Sequence, residues 1–236
     1  MIQSSLSLLT ADAAMPSLAP LVALAFLGTG FLLVCAAVGS GIAYAARRVG
    51  PAKALAASGL AVGAVYAAIL AGAAVLSRDR TLEPGERKYF CELDCHLAYD
   101  VTASEAPRAG LQAVTLRTWF DPGTISAFRG NGPYAPSPRE VYVLDETGRR
   151  YDPSPEATLA WRRAHADSTP LEMPLRPGES YTTTFVFALP PGARASRLFL
   201  GDAPGGIERV LIGHENSPMH GKTYFAVPSP RHGEGA

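Results

Sequence analysis

Two runs without a single charged residue constrain this chain more than anything else in it. The first extends from Ala13 to Ala46, and the second from Ala54 to Ser77. A bilayer core of about 30 Å is crossed by about 20 apolar residues in a helix. The runs therefore predict two membrane spans, at about Leu18 to Ala43 and Ala54 to Leu76. The remaining stretch, Arg78 to Ala236, holds 18 of the 21 basic and 20 of the 21 acidic side chains. That split excludes a plain soluble protein and equally a many-span transporter. The polar part is long enough to bury a core of its own. Its charges balance and form no basic stripe, so no nucleic-acid partner is expected.

The segment before the first span, 1–17, carries only Asp12 as a charge. A cleaved signal would have a basic leader and a shorter apolar core, so the expectation is a span. The connection between the runs holds Arg47, Arg48 and Lys53, and short loops rich in Lys and Arg stay in the cytoplasm. Both termini then lie outside, in a bacterial inner (cell) membrane. The expected organisation is a tail at 1–17, a transmembrane hairpin at 18–77, an extracytoplasmic domain at 78–228 and a disordered tail at 229–236. Gly59 and Gly63 form a G-x-x-x-G, which lets helix backbones approach closely. It serves either packing within the hairpin or docking onto a partner. No Asp, Glu, Lys, Arg or His lies inside either span, and ion or proton paths normally need such groups. The hairpin reads as an anchor, with Cys35 a small packing residue.

Beyond Arg78 the composition changes, with 17 of the 20 prolines lying there. Short strand-like runs alternate with Pro, Gly and Asp turns. Strands are predicted near Tyr89–Val101, Leu111–Phe120, Glu140–Asp145, Arg149–Tyr151, Ser180–Leu189, Arg197–Leu200, Glu208–Ile212 and Thr223–Val227. One helix is predicted at Glu156–His165, with Pro155 where a missing N–H costs nothing. The stretch Asp121–Arg139 reads as a long loop. This pattern fits an antiparallel, immunoglobulin-like β-sandwich with one short helix. The run Arg176-Pro177-Gly178-Glu179-Ser180, the strand Thr184-Phe185-Val186-Phe187-Ala188-Leu189-Pro190 and then Arg197-Leu198-Phe199-Leu200 carry a resemblance. Over residues 85–227 the chain resembles the immunoglobulin-like domains of unknown function in bacterial secreted lipoproteins and membrane-anchored proteins. That resemblance implies a fold and a location, and no activity.

The segment Cys91-Glu92-Leu93-Asp94-Cys95-His96 is the strongest candidate for chemistry. Tyr89, Cys91, Leu93, Cys95, Leu97, Tyr99 and Val101 alternate with the residues between them, the period of a half-buried strand. Both thiols then face a core, about 13 Å apart along the strand, too far for a disulfide unless the chain bends. A second reading is a metal site, since thiolate and imidazole suit copper or zinc, with His214, Met219 and His220 as late donors. The two-span hairpin, outside β-domain and Cys-x-x-x-Cys spacing resemble cytochrome c oxidase subunit two, which implies copper. There the cysteine loop comes late in the domain, whereas here the pair opens it. Haem attachment uses Cys-x-x-Cys-His, one residue shorter than the spacing here. The row Glu92, Asp94, His96 is otherwise the solvated face of a strand. No nucleophile elbow, phosphate loop or zinc-protease motif is present, so an enzyme is the weaker class. The sequence reads as a membrane-anchored binding or structural module. The lipid bilayer and another membrane or envelope protein are its expected partners. A copper-binding, copper-delivery or electron-transfer protein is the alternative.

Overall fold

The computed structural model describes residues 19–92, 95–126, 128–203 and 206–232. The chain divides into two compact units. One takes the residues up to Leu76 together with Ile207–Pro218; the other takes Ser77–Gly206 and the residues from Met219 onward.

The first unit is a helical hairpin. Its helices are α1 (Ala19–Ala45) and α2 (Val49–Leu76), each long and apolar enough to cross a membrane. A tight connection joins them, with Arg47 in the left-handed region at φ 58°. Ser40 Oγ donates to the Ala52 carbonyl at 2.9 Å, tying the helices near the turn. The glycines set their separation. A Cβ at Gly59 would stand 3.0 Å from the Ala36 methyl, and one at Gly39 would stand 3.2 Å from Leu55. The G-x-x-x-G is thus used, at Gly59, for packing inside the hairpin.

The second unit is a sandwich of two five-stranded sheets. Its strands are β1 (Arg80–Leu82), β2 (Lys88–Glu92), β3 (Cys95–Arg108), β4 (Leu111–Phe120), β5 (Arg139–Asp145), β6 (Arg150–Tyr151), β7 (Ser180–Ala188), β8 (Ala195–Asp202), β9 (Thr223–Ala226) and β10 (Arg231–His232). One sheet runs β1-β9-β8-β5-β6; the other runs β10-β3-β4-β7, with β2 also on β3. Alternation buries Leu97, Tyr99, Val114, Leu116, Phe120 and Phe187 from one sheet against Val143, Leu198, Leu200 and Phe225 from the other. A β-sandwich is therefore present. The sheets are not purely antiparallel, because β1–β9 and β10–β3 pair in parallel.

Local chemistry places the connections. Helix α3 (Pro155–Ala164) starts at Ser154, whose side chain accepts the Ala157 N–H, and Pro155 follows at the first position. Glu156 sits in its first turn and Arg162 and Arg163 in its last, each matching the helix dipole. Thr158 Oγ1 accepts the Val186 N–H at 3.0 Å, so α3 covers the edge of β7. The β5–β6 turn is built on Asp145. Its Oδ1 accepts the Thr147 hydroxyl and the Thr147 and Arg149 N–H groups, and its Oδ2 accepts the Tyr151 hydroxyl. These hydrogen bonds, the Thr147 hydroxyl foremost, pull its carboxyl down to about 2. Asp100 is buried and takes a bidentate pair from Arg117 across β3 and β4, at 3.0 and 2.8 Å.

Three expectations need correction. The continuous strand over Tyr89–Val101 is two strands: β2 ends at Glu92, and β3 begins at Cys95 antiparallel to it. Leu93 and Asp94 lie outside the described residues. The inward parity changes between the two strands. Phe90, opposite Leu97, is buried and Tyr89 is exposed, so the core face passes from an even residue in β2 to Leu97, Tyr99 and Val101 in β3. The single alternation expected from Tyr89 onward does not hold. The strand expected at Glu208–Ile212 is instead a 3-10 turn, Ile207–Val210, grouped with the helical hairpin. The tail from 229 contains β10, paired with Glu105 and Ala106 of β3; residues 1–18 and 233–236 lie outside the described residues.

Candidate functional site

The six expected metal donors divide between the two units. The β2–β3 hairpin places Cys91 opposite His96 and Glu92 opposite Cys95 in register. The separation of about 13 Å along one strand therefore does not apply. The side chains of Cys91 and Cys95 lie outside the described residues. His96 is held by the long loop that follows β4. Its N–H donates to Thr124 Oγ1 at 2.9 Å and its carbonyl accepts the Asp121 N–H at 3.2 Å. Asp121 in turn caps a 3-10 turn at Pro122–Thr124 by accepting the Gly123 N–H. The His96 ring meets Tyr89 edge-on, with centroids 6.5 Å apart. Its Nδ1 is buried and has no hydrogen-bond partner among the described residues.

His214 belongs to the hairpin unit, where its Nδ1 accepts the Asn216 N–H at 3.1 Å. Met219 and His220 belong to the sandwich unit. Met219 is exposed with φ 63°, and His220 Nδ1 lies 2.7 Å from the Gly221 carbonyl. Among the described residues, no three His, Cys, Asp or Glu side chains are arranged to hold a metal.

Met219 and His220 lead into a close crossing of the chain. The Gly221 N–H donates to Ser77 Oγ at 2.6 Å, and the Lys222 N–H donates to Asp79 Oδ1 at 3.0 Å. A Cβ at Gly221 would fall onto the backbone of Arg78. Only glycine lets these segments lie side by side, and the parallel β1–β9 pair starts directly from that crossing.

Two features escaped the sequence reading. The first is a set of cations on aromatic rings. Tyr142 stacks on Phe199 at 4.8 Å, and Tyr224 tilts against Phe199 at 5.8 Å. Arg150 lies 4.0 Å from the Tyr142 ring, Arg197 lies 4.8 Å from Tyr224, and Lys222 lies 4.4 Å from Phe199. Arg150 also pairs with Glu140 and Asp152. Arg139 is almost fully buried, 4.0 Å from the Phe90 ring, and pairs with Asp202. These contacts cover aromatic surface with charge. A hint lay in the sequence: Tyr142, Phe199 and Tyr224 occupy the outward parity of strands whose alternate residues form the core.

The second feature is Phe128, fully exposed in the loop between β4 and β5. Its neighbour Arg129 is anchored. The guanidinium lies 4.8 Å from the Phe120 ring and 5.8 Å from Tyr134, and Nη1 donates to the Gly132 carbonyl. Tyr134 pairs with Leu175 through two backbone hydrogen bonds. The Phe128 ring is thus carried uncovered on a loop braced through Arg129 and Tyr134.

No protein-family model matches the chain, and no curated protein does. Among solved structures it is similar to MPT63, a secreted protein from Mycobacterium tuberculosis. The two share 13% identity over 63% of this chain and 97% of that one, with a TM-score of 0.39. A likeness of that size carries no argument about this chain.

Proposed function

We propose that the chain is a membrane-anchored extracytoplasmic binding module. Two helices anchor it in a bacterial cell membrane, and an immunoglobulin-like sandwich meets a protein of the envelope. The observation that carries the reading is the surface of the helices. Leu24, Phe31, Leu60 and Leu76 are 66, 67, 77 and 84% exposed, and such side chains on all sides of a helix match a lipid surround. Arg47, Arg48 and Lys53 at the connection support a cytoplasmic turn with both termini outside. Phe128 is the side chain best placed to meet a partner.

The test installs a photo-crosslinking side chain at position 128 of the full chain in its native host, with Glu146 as the control site. The proposal expects the chain to stay in the membrane pellet after an alkaline carbonate wash. It also expects one discrete adduct from position 128 and none from position 146. Release by carbonate would refute the anchor. Equal labelling at the two sites would refute the binding face.

A second reading is a metal site of copper type at the β2–β3 hairpin. It is favoured by the buried Nδ1 of His96, which has no hydrogen-bond partner among the described residues, with His96 in register with Cys91. Elemental analysis of the purified full chain tests it. Stoichiometric copper lost in Cys91→Ser supports the site, and a folded, metal-free protein after exposure to copper and zinc rejects it.

A further inference from the structure

The segment between β8 and β9 does not stay with the sandwich. Ile207–Pro218 forms one compact unit with α1 and α2, although its ends continue into strands. The Tyr66 hydroxyl of α2 donates to the Val210 carbonyl at 2.6 Å. Ile212 closes a recess of about 360 Å³ between the helices, with Ala25, Thr29, Val62, Tyr66 and Ile69. Hydrogen bonds within the segment hold its turns. The Ser217 hydroxyl donates to the Leu211 carbonyl, the His214 N–H donates to that same carbonyl, and the Ser217 N–H donates to the His214 carbonyl. Two of its apolar side chains are left exposed: Ile207 is 52% and Val210 43% exposed.

Depth follows from the helices. Phe26 and Tyr66 meet at 6.4 Å, and Tyr44 lies 18 residues beyond Phe26 along α1 (44 − 26). At 1.5 Å per residue that is about 27 Å, close to the hydrocarbon thickness. Aromatic rings concentrate at both edges of a bilayer. With Tyr44 at the inner edge beside Arg47 and Arg48, Phe26 and Tyr66 lie in the outer leaflet, short of the end of the apolar run at Leu76. Helix α2 stays apolar past Tyr66 as far as Leu76, so any shift of the hairpin carries Tyr66 into the outer leaflet and not out of it. A segment hydrogen-bonded to Tyr66 therefore sits at the lipid boundary. Arg209, exposed in the same turn, has the length to reach the headgroups.

We infer that Ile207–Pro218 is a third membrane-contacting element, which places Ile207 and Val210 among the acyl chains at the outer headgroup boundary. The inference rests on the anchor reading above. It is tested on the full chain in phosphatidylcholine vesicles. An azide-bearing amino acid at position 207, 210, 60 or 146 is coupled to an environment-sensitive dye, leaving the native cysteines untouched. Nitroxide lipids then quench at shallow or deep positions. The inference expects shallow-nitroxide quenching at 207 and 210 about twofold or more above that at 146, as for side chains buried at the headgroup boundary. It also expects deep quenching at 60, and loss of the excess at 210 in Tyr66→Phe. Quenching at 60 without any at 207 and 210 would overturn the inference and leave the anchor standing. No quenching at 60 would overturn both. Excess quenching at 210 unchanged in Tyr66→Phe would overturn the docking geometry.

Discussion

Replacing Gly221 by alanine probes the crossing that joins the two ends of the sandwich sequence. Gly221 has no left-handed φ to explain it; the constraint is the Arg78 backbone, which occupies the place of a Cβ. Backbone cannot swing aside as a flexible side chain does. One segment must retreat by roughly half an ångström or more, a typical overpacking shift. The hydrogen bonds at stake are Gly221 to Ser77 at 2.6 Å, Lys222 to Asp79 at 3.0 Å and Arg80 to the Lys222 carbonyl at 2.9 Å. Losing two of them, at about 1 kcal/mol each, agrees with the usual overpacking cost of about 1–3 kcal/mol. Gly221→Ala should thus destabilise the sandwich by about 2 kcal/mol. The assay is urea unfolding of the full chain in mild detergent, followed by tryptophan fluorescence. Trp119 and Trp161 are the only two tryptophans and both lie in the sandwich unit, so the signal is silent about the helices. With a slope of about 2 kcal/mol per molar urea, the midpoint should fall by about 1 M. Gly148→Ala is the contrast: Gly148 has φ +82° and open space around it, so its cost is conformational and on the order of 1 kcal/mol. A Gly221→Ala midpoint equal to wild type would refute the steric account.

Leu198→Ala, at a fully buried position between the sheets, should cost about 2–5 kcal/mol in the same assay. The Asp100–Arg117 pair predicts an asymmetry. The Asp100 side chain is 3% exposed and that of Arg117 39%, so Arg117→Met strands a buried carboxylate and should cost about 3–5 kcal/mol. Asp100→Ala leaves a guanidinium that reaches water and should cost less; equal costs would contradict the burial argument. Asp145 predicts an acid limb. Its folded carboxyl lies below its ordinary value of 3.8, at about 2, so its contribution is present above pH 3.8 and is lost as pH falls towards 2. Asp145→Asn should flatten unfolding midpoints across that window, and an unchanged slope would show that the turn is not linked to the carboxyl.

Much of the sandwich was legible where one residue type does one job. Strand β4 has the expected bounds, Leu111–Phe120; its even-numbered residues are buried along the whole strand, and Ala113 alone is buried on the other face. Helix α3 lies where Pro155 announces it, one residue earlier than expected at each end. The 91–96 segment misled because apolar residues of both parities precede it, Tyr89 and Phe90 side by side, and only the β2–β3 pairing decides that Phe90 turns inward with Leu97 and that Cys91 stands opposite His96. Glu208–Ile212 misled because apolar residues that close on a helix look the same as residues that close on a sheet. The parallel β1–β9 pair depends on Gly221 against Arg78, a contact between the start and the end of the sandwich sequence, and no local pattern encodes it.

The most direct test of the anchored, outward-facing sandwich is a pair of fusions after Ala236. One reporter, alkaline phosphatase, needs the oxidising exterior for its disulfides; the other is a fluorescent protein that matures only in the cytoplasm. The account predicts an active phosphatase and a dark fluorescent fusion, both in the membrane fraction. A bright fluorescent fusion with inactive phosphatase would place the sandwich inside, and a soluble phosphatase fusion would remove the anchor.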